Sequence, residues 1–553
     1  TPAHLKEGRF KHNLETAPDW TISRNRFWAT PLPIWKDPAG KVTVIGSLEE
    51  LKQRTKKSGN KYFVLRHGET NNNVAGINST VLGGAEKGHV LTEKGKKDSR
   101  EAVEELKNAG ITRIIASPFM RTMETARIAA ELLGIAPEKI ETDARLREVE
   151  VGEFEGTTYK EYNAYFSTTA ERFDKRPEGA ETLADVRHRM GEFIYELEAK
   201  YANENILVVS HGDPIWMLWL LAEGKPKHCI DDVFYLERGK VCELDFVPLP
   251  HNADYELDLH LPYIDRVQLI DGVGQPLTRI AEVVDCWVES GSMPFAEYNY
   301  PFKNKDVFER RSPGDFVSEY IGQTRAWFYY MHAMSVELFG TLAFRNVITT
   351  GNVLAGDGAK LSKSKGNYTD PYALFDAYGA DAFRYYLMGS VVMQAEDLTF
   401  RDEEVKEAHN RVVNMLRNVL SFYELFKADT TGASGTSTNP LDRWILARLA
   451  EVVAATTEAF DAYDVPRGVR PMRDFIDDLS TWYVRRSRDR VRGADSSDKQ
   501  HALETLRHVL HTFSLVVAPV MPFIAEELYQ STKSDAEPES VHLADWPSEE
   551  RSW

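Results

Sequence analysis

Cysteine is scarce in this chain of 553 residues, and the scarcity excludes two kinds of small domain. The three cysteines, Cys229, Cys242 and Cys286, cannot build a disulfide framework, and their spacing matches no metal-binding motif. Long apolar runs are also lacking, since the longest near-candidate, Ile215 to Ala222, is far shorter than the ~20 residues that span a bilayer. These features predict a protein of the reducing cytoplasm that has no transmembrane helix and no membrane partner.

An excess of positive charge is absent as well. The net charge is −18, with 42% hydrophobic and 27% charged residues, so the surface as a whole is unsuited to sequence-independent binding of polyanions. Any nucleic-acid contact must therefore be local. The polar opening stretch, Thr1 to Asn13, is unlike a signal peptide and has no initiator Met, which predicts a processed form or a fragment. The length predicts about three domains.

One short loop concentrates positive charge. Gly358 to Asn367 reads Gly-Ala-Lys-Leu-Ser-Lys-Ser-Lys-Gly-Asn, with lysines clustered between two glycines. Glycines let backbone N–H groups approach an anion, and serine hydroxyls donate hydrogen bonds to it. One Lys beside one phosphate charge is worth roughly 4 kcal/mol at about 4 Å and an effective dielectric near 20. The loop therefore predicts phosphate binding, and the alternative is a solvated basic loop.

The order Lys-Leu-Ser-Lys-Ser resembles the Lys-Met-Ser-Lys-Ser signature of class I aminoacyl-tRNA synthetases, with Leu361 in the Met position. The resemblance implies that the loop closes over the triphosphate of ATP, used with Mg²⁺. It implies that Lys360 and Lys363 bind ATP and are catalytic, because they stabilise charge at the α-phosphate. It also implies ATP contacts from Ser362 and Ser364.

Other segments carry the same resemblance in family order. Trp20 to Trp35 resembles the stretch that re-enters the catalytic domain in synthetases for branched-chain amino acids, and the turn after it has no Cys for a zinc knuckle. Asp285 to Ala296 resembles the isoleucine-specific members, with Glu289 where Asp is common. Gly322 to Phe328 resembles the segment that touches the adenylate, which implies ATP contact by Gln323. The alternative for that segment is an amphipathic core helix.

An insertion of different character interrupts this pattern between Leu51 and Leu257. Apolar, β-prone runs at Tyr62 to Leu65, Ile111 to Ala116 and Ile206 to Val209 alternate with helical patterns. The helical patterns are Ser99 to Asn108, Thr122 to Leu133 and Leu183 to Lys200. This alternation predicts an α/β domain with a parallel sheet, in which residues that follow the strands meet at one edge.

Three strand ends of the insertion carry matching chemistry. Arg-His-Gly at 66–68 follows the first strand, Ser-Pro-Phe-Met-Arg at 117–121 the second, and Ser-His-Gly at 210–212 the third. A neutral imidazole can attack phosphorus, arginines can bind its oxygens, and a protonated carboxyl can give the leaving group a proton. A single His after a strand is usually structural, but two His-Gly pairs beside Arg favour a phosphate site.

This set resembles the histidine phosphatase superfamily, which includes the cofactor-dependent phosphoglycerate mutases. The resemblance implies that His67 is the catalytic nucleophile that accepts phosphate. Glu148, in an acidic segment that matches the family, is then the catalytic general acid. Phosphate binding is implied for four residues: Arg66, Asn73, Arg121 and His211. Three of them, Arg66, Arg121 and His211, form a cationic pocket around the phosphoryl group in this resemblance. Hydrolase and mutase chemistry both stay open, as does turnover itself.

A Gly/Ser/Thr-rich linker, Gly432 to Pro440, precedes a helical C-terminal part. One predicted helix places five apolar residues on one face, before four arginines: Phe475, Ile476, Leu479, Trp482, Tyr483, Arg485, Arg486, Arg488 and Arg490. Class I synthetases carry an anticodon-binding bundle here, which implies tRNA contact by Trp482, Arg485 and Arg486 through stacking and phosphate pairing. The alternative is a solvated face paired with nearby acids.

The predicted fold class is α/β. It comprises the second half of a class I synthetase nucleotide-binding fold, an inserted α/β histidine phosphatase-like domain and a C-terminal α-helical anticodon-binding bundle, with segments at 1–55, 56–250, 251–402 and 403–553. The predicted function is ATP-dependent ligation of isoleucine to tRNA, completed by an upstream region with the His-Ile-Gly-His-type motif that this sequence lacks. Two alternatives stay open: a histidine phosphatase on a synthetase-derived scaffold, and a non-catalytic tRNA-binding protein.

Overall fold

The computed structural model describes residues 2–361, 366–429 and 437–547. By their internal contacts they form two compact units, one of Thr21–Asp285 and the other of Thr1–Trp20 with Cys286–Trp553. Within the described ranges, no helix has both the length and the apolar character that crossing a membrane requires.

A five-stranded sheet is the centre of the Thr21–Asp285 unit. Its strands, in spatial order, are Ile140–Thr142, Arg113–Ala116, Asn205–Ser210, Lys61–Arg66 and Val241–Leu244. The first four run parallel and the last is antiparallel. Helices Glu93–Glu104 and Met120–Leu133 pack on one face, and Leu183–Lys200 and Gly212–Glu223 pack on the other. The α/β prediction is confirmed, and the two edge strands have no counterpart among the predicted elements.

Alternation along the strand Lys61–Arg66 explains the core on both faces of the sheet. Phe63 and Leu65 pack with the first pair of helices, and Tyr62 and Val64 pack with the second pair. All four side chains are buried. A strand that is buried on both faces has a continuous apolar sequence rather than an alternating one, which is why this run was recognisable.

A smaller antiparallel sheet in the same unit joins the two ends of the insertion. Its strands, in order, are Val42–Val44, Ile34–Lys36, Pro276–Arg279 and Leu269–Ile270. Helix Leu48–Arg54 packs beside it, and Ser23–Arg24 pairs with Val283–Val284. Seven buried side chains form its core: Trp35, Ile45, Leu51, Leu249, Ile264, Leu269 and Leu277. Residues before and after the insertion therefore share one hydrophobic core.

The other unit contains two short parallel sheets. Gly314–Tyr320 pairs with Phe344–Thr350, and the helix Trp327–Phe339 connects these strands. Val353–Leu354 pairs with Leu398–Thr399. Strand, helix and parallel strand in this order are the repeating element of nucleotide-binding α/β folds.

Helical segments make up most of the rest of this unit. They are Ala3–Leu5, Lys6–Phe10, Lys11–Glu15, Cys286–Gly291, Met293–Ala296, Lys305–Arg311, Pro371–Tyr378, Ala380–Met388, Asp402–Ala408, His409–Val413, Asn414–Phe426, Pro440–Asp461, Val465–Asp477, Asp478–Val484, Arg485–Arg492, Ser496–Val517 and Pro522–Thr532. Those after Asp402 form a bundle around a single core that includes Tyr423, Phe475 and Phe513. The predicted C-terminal helical bundle is confirmed.

One prediction about this bundle is wrong. Four of the five residues assigned to one apolar face are fully buried: Phe475, Ile476, Leu479 and Tyr483. Trp482, however, is 51% exposed. The segment Asp478–Val484 is a π-helical turn, in which an extra residue per turn rotates the side chains that follow away from regular α-helical positions. Trp482 therefore faces solvent.

Candidate active site

The parallel sheet of the Thr21–Asp285 unit brings the three predicted strand ends together. Arg66 pairs in register with Ser210, so His67 and His211 follow neighbouring strands. Their ring centroids are 5.2 Å apart. Ser117, which follows the next strand, lies 2.8 Å from the His211 ring through its Oγ atom. Residues 144 positions apart, such as His67 and His211, thus meet at one edge of the sheet.

A cavity of about 1180 Å³ adjoins these strand ends. Five of the predicted site residues line it: Arg66, His67, Asn73, Arg121 and Glu148. The segment from Tyr159 to Thr169 supplies aromatic and hydroxyl side chains to its wall. The volume is large enough to hold both a phosphate group and the organic part of a phosphate ester.

His67 presents an unprotonated nitrogen. Its Nδ1 lies 2.8 Å from the carbonyl oxygen of Gly68, and because a carbonyl oxygen can only accept, Nδ1 carries the proton. Nε2 is then left with a free lone pair. Burial, together with the charges of Arg121 and Arg66, lowers the pKa of His67 well below its ordinary value. The ring is therefore neutral and suited to nucleophilic attack.

Two buried guanidinium groups face the cavity. Arg66 is 8% exposed and donates from Nη1 to the carbonyl oxygen of Leu236 at 2.8 Å. Arg121 is 3% exposed and donates from Nε to Nδ1 of His211 at 3.2 Å. A Cβ atom at Gly212 would lie 2.8 Å from Nη2 of Arg66, so glycine leaves the room that this guanidinium occupies. Two positive charges with so little access to water favour an anionic ligand.

His211 is a neutral ring rather than the predicted cation. Because its Nδ1 accepts a hydrogen bond from Arg121, its Nε2 carries the proton and donates to Ser117 Oγ at 2.8 Å. Burial and the Arg121 charge lower the pKa of His211 well below its ordinary value. The cationic part of the predicted pocket is therefore the two arginines, and His211 holds Arg121 in place.

Glu148 has the electrostatic environment of a proton donor. Its Oε1 accepts a hydrogen bond from the backbone N–H of Val149 at 3.0 Å. Burial first, and then the negative charge of Asp213, raise the pKa of Glu148 above its ordinary value, against the opposing charges of Arg121 and Arg66. A carboxyl group with a raised pKa can remain protonated closer to neutral pH, as a general acid requires.

Asn73 also lines the cavity. Its Oδ1 accepts from the backbone N–H of Thr70 at 3.2 Å, and its Nδ2 donates to the hydroxyl of Tyr159 at 2.8 Å. Both of its polar groups therefore stabilise local structure, whereas the prediction gave it a role in phosphate binding.

Sequence reasoning missed several charged and aromatic residues of the cavity. Asp213 forms an ion pair with Arg172, with Oδ2 and Nη2 2.5 Å apart. The ring of Tyr235 lies 5.0 Å from the guanidinium of Arg66, and Arg238 is a further cation of the lining. Asp213 could have been found, because it directly follows the second His-Gly pair. Arg172 lies on the short 3₁₀ helix Thr169–Phe173, and Tyr235 and Arg238 lie on a loop; no local sequence motif identifies these three positions.

The predicted ATP site lies in the other unit and is described only in part. Three predicted ATP-binding residues fall outside the described ranges: Ser362, Lys363 and Ser364. Lys360 is exposed, and its carbonyl oxygen accepts from Asn367 Nδ2 at 3.1 Å. Gln323 accepts, through Oε1, from the N–H of Trp327 at 3.1 Å, which caps a helix. Phe328 is fully buried, as the alternative core interpretation expects.

The predicted tRNA-binding residues lie on the surface of the bundle. All three are exposed: Trp482, Arg485 and Arg486. The guanidinium of Arg486 stands 4.5 Å from the centre of the Trp482 ring. Arg490 differs from them, because its Nη2 contacts the carboxylates of Asp442 and Asp498, each at 2.7 Å. Arg490 therefore has a structural role, and the exposed cations precede it.

Comparison with protein families divides the chain into three matched parts. Residues 62–248 match the histidine phosphatase superfamily (branch 1). Residues 1–77 and 252–399 match the tRNA synthetases class I (I, L, M and V). Residues 442–553 match the anticodon-binding domain of tRNA ligase.

Two solved structures overlap these parts at low overall similarity. A LeuRS–tRNA–LeuAMS complex of Agrobacterium radiobacter K84 is 19% identical, with a TM-score of 0.40, and covers 51% of this chain and 36% of that chain. Mycobacterial hydrolase 1 is 25% identical, with a TM-score of 0.29, and covers 33% of this chain and 87% of that chain.

Curated relatives resemble the synthetase parts. The isoleucine–tRNA ligase of Chlamydia trachomatis serovar D is 43% identical over 322 residues, which are 57% of this chain and 31% of that protein. The isoleucine–tRNA ligase of Treponema denticola is 42% identical over 309 residues, 52% of this chain and 28% of that protein. The chain thus spans about a third of the length of these relatives. It combines segments similar to the synthetase and anticodon-binding parts of isoleucine–tRNA ligases with an inserted segment that matches the histidine phosphatase superfamily.

Proposed function

We propose that this chain supplies the later part of the catalytic domain and the anticodon-binding domain of an enzyme that ligates isoleucine to its tRNA with ATP. The observation that carries this proposal is the 43% identity to an isoleucine–tRNA ligase over 322 residues. The lysine loop would contact the ATP phosphates, and Mg²⁺ would bind chiefly through those phosphates. Three free cysteines and a tRNA substrate fit a cytoplasmic protein.

The sheet of Gly314–Tyr320 and Phe344–Thr350 supports the proposal that a further region completes the catalytic unit. In the described residues this parallel sheet has only two strands. Parallel sheets are normally larger and covered on both faces, yet Phe316 is 55% exposed and Tyr320 is 44% exposed. An upstream region with the His-Ile-Gly-His-type motif would add strands here and a second set of ATP contacts.

Isoleucine-dependent pyrophosphate exchange tests this proposal. The chain alone should give no exchange, because correct positioning of reactants contributes about 7–11 kcal/mol and one set of ATP contacts is missing. Adding a polypeptide with the His-Ile-Gly-His-type motif should restore exchange. In that mixture Lys363→Ala should remove most of the activity, and Lys303→Ala, at an exposed lysine of the same unit, should not. Robust exchange by the chain alone would refute the need for a second region.

The exposed Trp482–Arg486 pair supports tRNA contact by the bundle. An aromatic ring and a guanidinium beside it can stack on unpaired bases, which is worth about 1–3 kcal/mol per base. Trp482→Ala and Arg486→Gln should therefore each weaken tRNA binding by about five- to a hundredfold in a filter-binding assay. Arg467→Gln, which changes an exposed arginine paired with Glu458, is the matched control. If Trp482→Ala and Arg486→Gln bind tRNA as tightly as the Arg467→Gln control, this surface faces solvent and does not contact tRNA.

For the insertion, we propose phosphomonoester hydrolysis. The observation that carries it is the neutral His67 with a free Nε2 lone pair beside two buried arginines at one cavity. Nε2 attacks phosphorus, and the P–O bond to the leaving group breaks as Glu148 gives that oxygen its proton. The Gly68 carbonyl oxygen stabilises the positive charge that develops on the ring. Arg66 and Arg121 bind the oxygens of the transferred group.

A second step would return the site to its starting state. Water attacks the phosphohistidine, and the P–N bond breaks. The ionised Glu148 takes a proton from that water, so phosphate leaves and the carboxyl is protonated again. Transfer to a second substrate alcohol instead of water would make the domain a mutase.

Trapping the phosphohistidine tests this function. The full chain mixed with p-nitrophenyl phosphate should release p-nitrophenol in a burst, and alkaline mass spectrometry should locate one acid-labile phosphate on the peptide that contains His67. Added glycerate should accept phosphate if the domain is a mutase. No turnover and no phosphohistidine with any phosphomonoester tested would leave the domain as a binding module.

A further inference from the structure

Glu148 lies in a segment that has no regular secondary structure. Residues 147–150 belong to no helix and no strand, so the repeating hydrogen bonds of a helix or sheet do not fix them. A general acid, however, must lie within hydrogen-bond reach of the leaving-group oxygen, and a misplacement of about 1 Å can cost on the order of 10²-fold in rate. Side chains of neighbouring elements must therefore hold this segment in place.

Arg189, on the helix Leu183–Lys200, supplies that support. The residue is 6% exposed, so its guanidinium must find acceptors inside the protein. Nη1 donates to the carbonyl oxygens of Arg145 and Arg147, the second at 2.8 Å. Nη2 donates to the carbonyl oxygen of Glu148 at 3.3 Å. One side chain thus holds three carbonyl groups within four consecutive residues.

Glu181 completes the set of acceptors. Its Oε1 and Oε2 accept from Nε and Nη2 of Arg189, at 3.1 Å and 3.0 Å, and this ion pair is buried. Oε2 also accepts from the backbone N–H of Glu150 at 3.2 Å, so the pair holds the far end of the segment as well. The five N–H groups of the guanidinium therefore match five acceptors, a number that lysine, with three N–H groups, cannot reach.

The contact with Glu148 reaches its carboxyl group through one peptide unit. Arg189 binds the carbonyl oxygen of that unit, and the N–H at its other end, which belongs to Val149, donates to Oε1 of Glu148 at 3.0 Å. Because a peptide unit is planar, fixing the direction of its carbonyl group also fixes the direction of its N–H group. A continuous chain of hydrogen bonds therefore connects Arg189 to the carboxyl group of Glu148, which lines the cavity.

We propose that Arg189 is a positioning residue that holds the carboxyl group of Glu148 where the leaving-group oxygen departs. The proposal rests on the proposed phosphohydrolase function. Arg189 transfers no proton and binds no phosphate in this scheme. The proton passes from Glu148 to the leaving-group oxygen as the P–O bond breaks, and it returns to Glu148 from the water that attacks the phosphohistidine.

Dependence on the leaving group tests this role, because only a poor leaving group needs the proton of Glu148. Arg189→Gln should lower kcat/KM for β-glycerophosphate on the order of 10²-fold and change that for p-nitrophenyl phosphate by less than about threefold. Arg187→Gln is the matched control, since Arg187 lies on the same helix, is 5% exposed, and binds Glu256 and the carbonyl oxygen of Asp254 instead. It should leave both rates near those of wild type. Equal losses with both substrates, or for both variants, would overturn the proposal.

A double variant separates positioning from a general loss of structure. If Arg189 acts through Glu148, adding Arg189→Gln to Glu148→Gln should cause no further loss with β-glycerophosphate, whereas independent effects multiply. Arg189→Lys keeps the charge but has two fewer N–H groups, so its rate should remain close to that of Arg189→Gln. Full recovery by Arg189→Lys would assign the effect to charge and overturn the proposal, as would a multiplicative loss in the double variant. Thermal melting checks that each variant folds.

Hydrogen exchange separates this proposal from the function on which it rests. In the full chain, mass spectrometry should show backbone exchange on the order of tenfold faster at residues 145–151 in Arg189→Gln, and wild-type exchange there in Arg187→Gln. Arg189→Lys, the milder change, gives the same comparison if Arg189→Gln melts below the assay temperature. Faster exchange supports the proposal even without turnover, whereas the absence of wild-type turnover counts only against the phosphohydrolase. Unchanged exchange at 145–151 would overturn the proposal, because the segment would then be held without Arg189.

Discussion

Replacing His67 with Ala should abolish phosphohydrolase turnover and leave phosphate binding nearly intact. The imidazole is 3% exposed, and Ala offers no nitrogen to carry phosphate. Arg66 and Arg121 keep their positions because the carbonyl of Leu236 and the ring of His211 hold them. We expect kcat to fall at least ~10⁴-fold, or about 5.4 kcal/mol of transition-state stabilisation. The affinity for inorganic phosphate should change by no more than about threefold.

The assay combines hydrolysis of p-nitrophenyl phosphate, calorimetric titration with inorganic phosphate and mass spectrometry of the acid-labile adduct. His188→Ala is the matched control, because His188 is a half-exposed histidine on the helix Leu183–Lys200 of the same domain. It should retain wild-type turnover. If His67→Ala keeps more than about a hundredth of the wild-type rate with the same melting temperature, the nucleophile lies elsewhere and the reasoning from the Nδ1 hydrogen bond is wrong.

Four further predictions concern the same site, the helical bundle and the insertion. Glu148→Gln should slow β-glycerophosphate hydrolysis far more than p-nitrophenyl phosphate hydrolysis, since only the poor leaving group needs a proton. The wild-type rate should follow a bell-shaped pH profile. It should fall as the pH rises through the raised pKa of Glu148, because the acid loses its proton, and as the pH drops through the lowered pKa of His67, because the nucleophile gains one. Asp442→Ala should lower the free energy of unfolding of the bundle, measured in urea, by about 3–5 kcal/mol, because Arg490 and the Tyr483 hydroxyl lose a buried partner. Asp498→Ala should lower it less, because that carboxylate is more exposed. Excision of 61–247 with a Gly/Ser join should leave a soluble protein that melts cooperatively, because the core of the small sheet lies outside the excised residues; aggregation would count against it.

Much of the fold was predictable because its signals are local in the sequence. The buried strands Lys61–Arg66 and Asn205–Ser210 read as apolar runs, and long helices such as Leu183–Lys200 carry a helical period. The carboxyl ends of parallel strands meet at one edge of a sheet, so the motifs after those strands predict a shared site. The edge strands Ile140–Thr142 and Val241–Leu244 each contain a glutamate, so neither has the continuous apolar sequence that marks a strand buried on both faces.

What each group does in the site was decided by the tertiary structure. The charge states of His67 and His211 depend on burial and on Arg121, which the fold brings beside both rings from elsewhere in the chain, so the residues next to each histidine in the sequence do not settle them. The Arg172–Asp213 pair joins positions 41 residues apart, and no motif spans that distance.

The C-terminal bundle shows the same division. Its helices follow from the apolar periodicity of the sequence. The outward orientation of Trp482, however, results from the π-helical turn Asp478–Val484, and Arg490 is not one of the exposed arginines because it pairs with the buried Asp442. The sequence by itself determined the elements and the strand ends that carry chemistry, because hydrophobic pattern and short motifs act over a few residues. Protonation state, charge pairing and exposure required the tertiary structure, because these properties depend on distances between residues that are far apart in the chain.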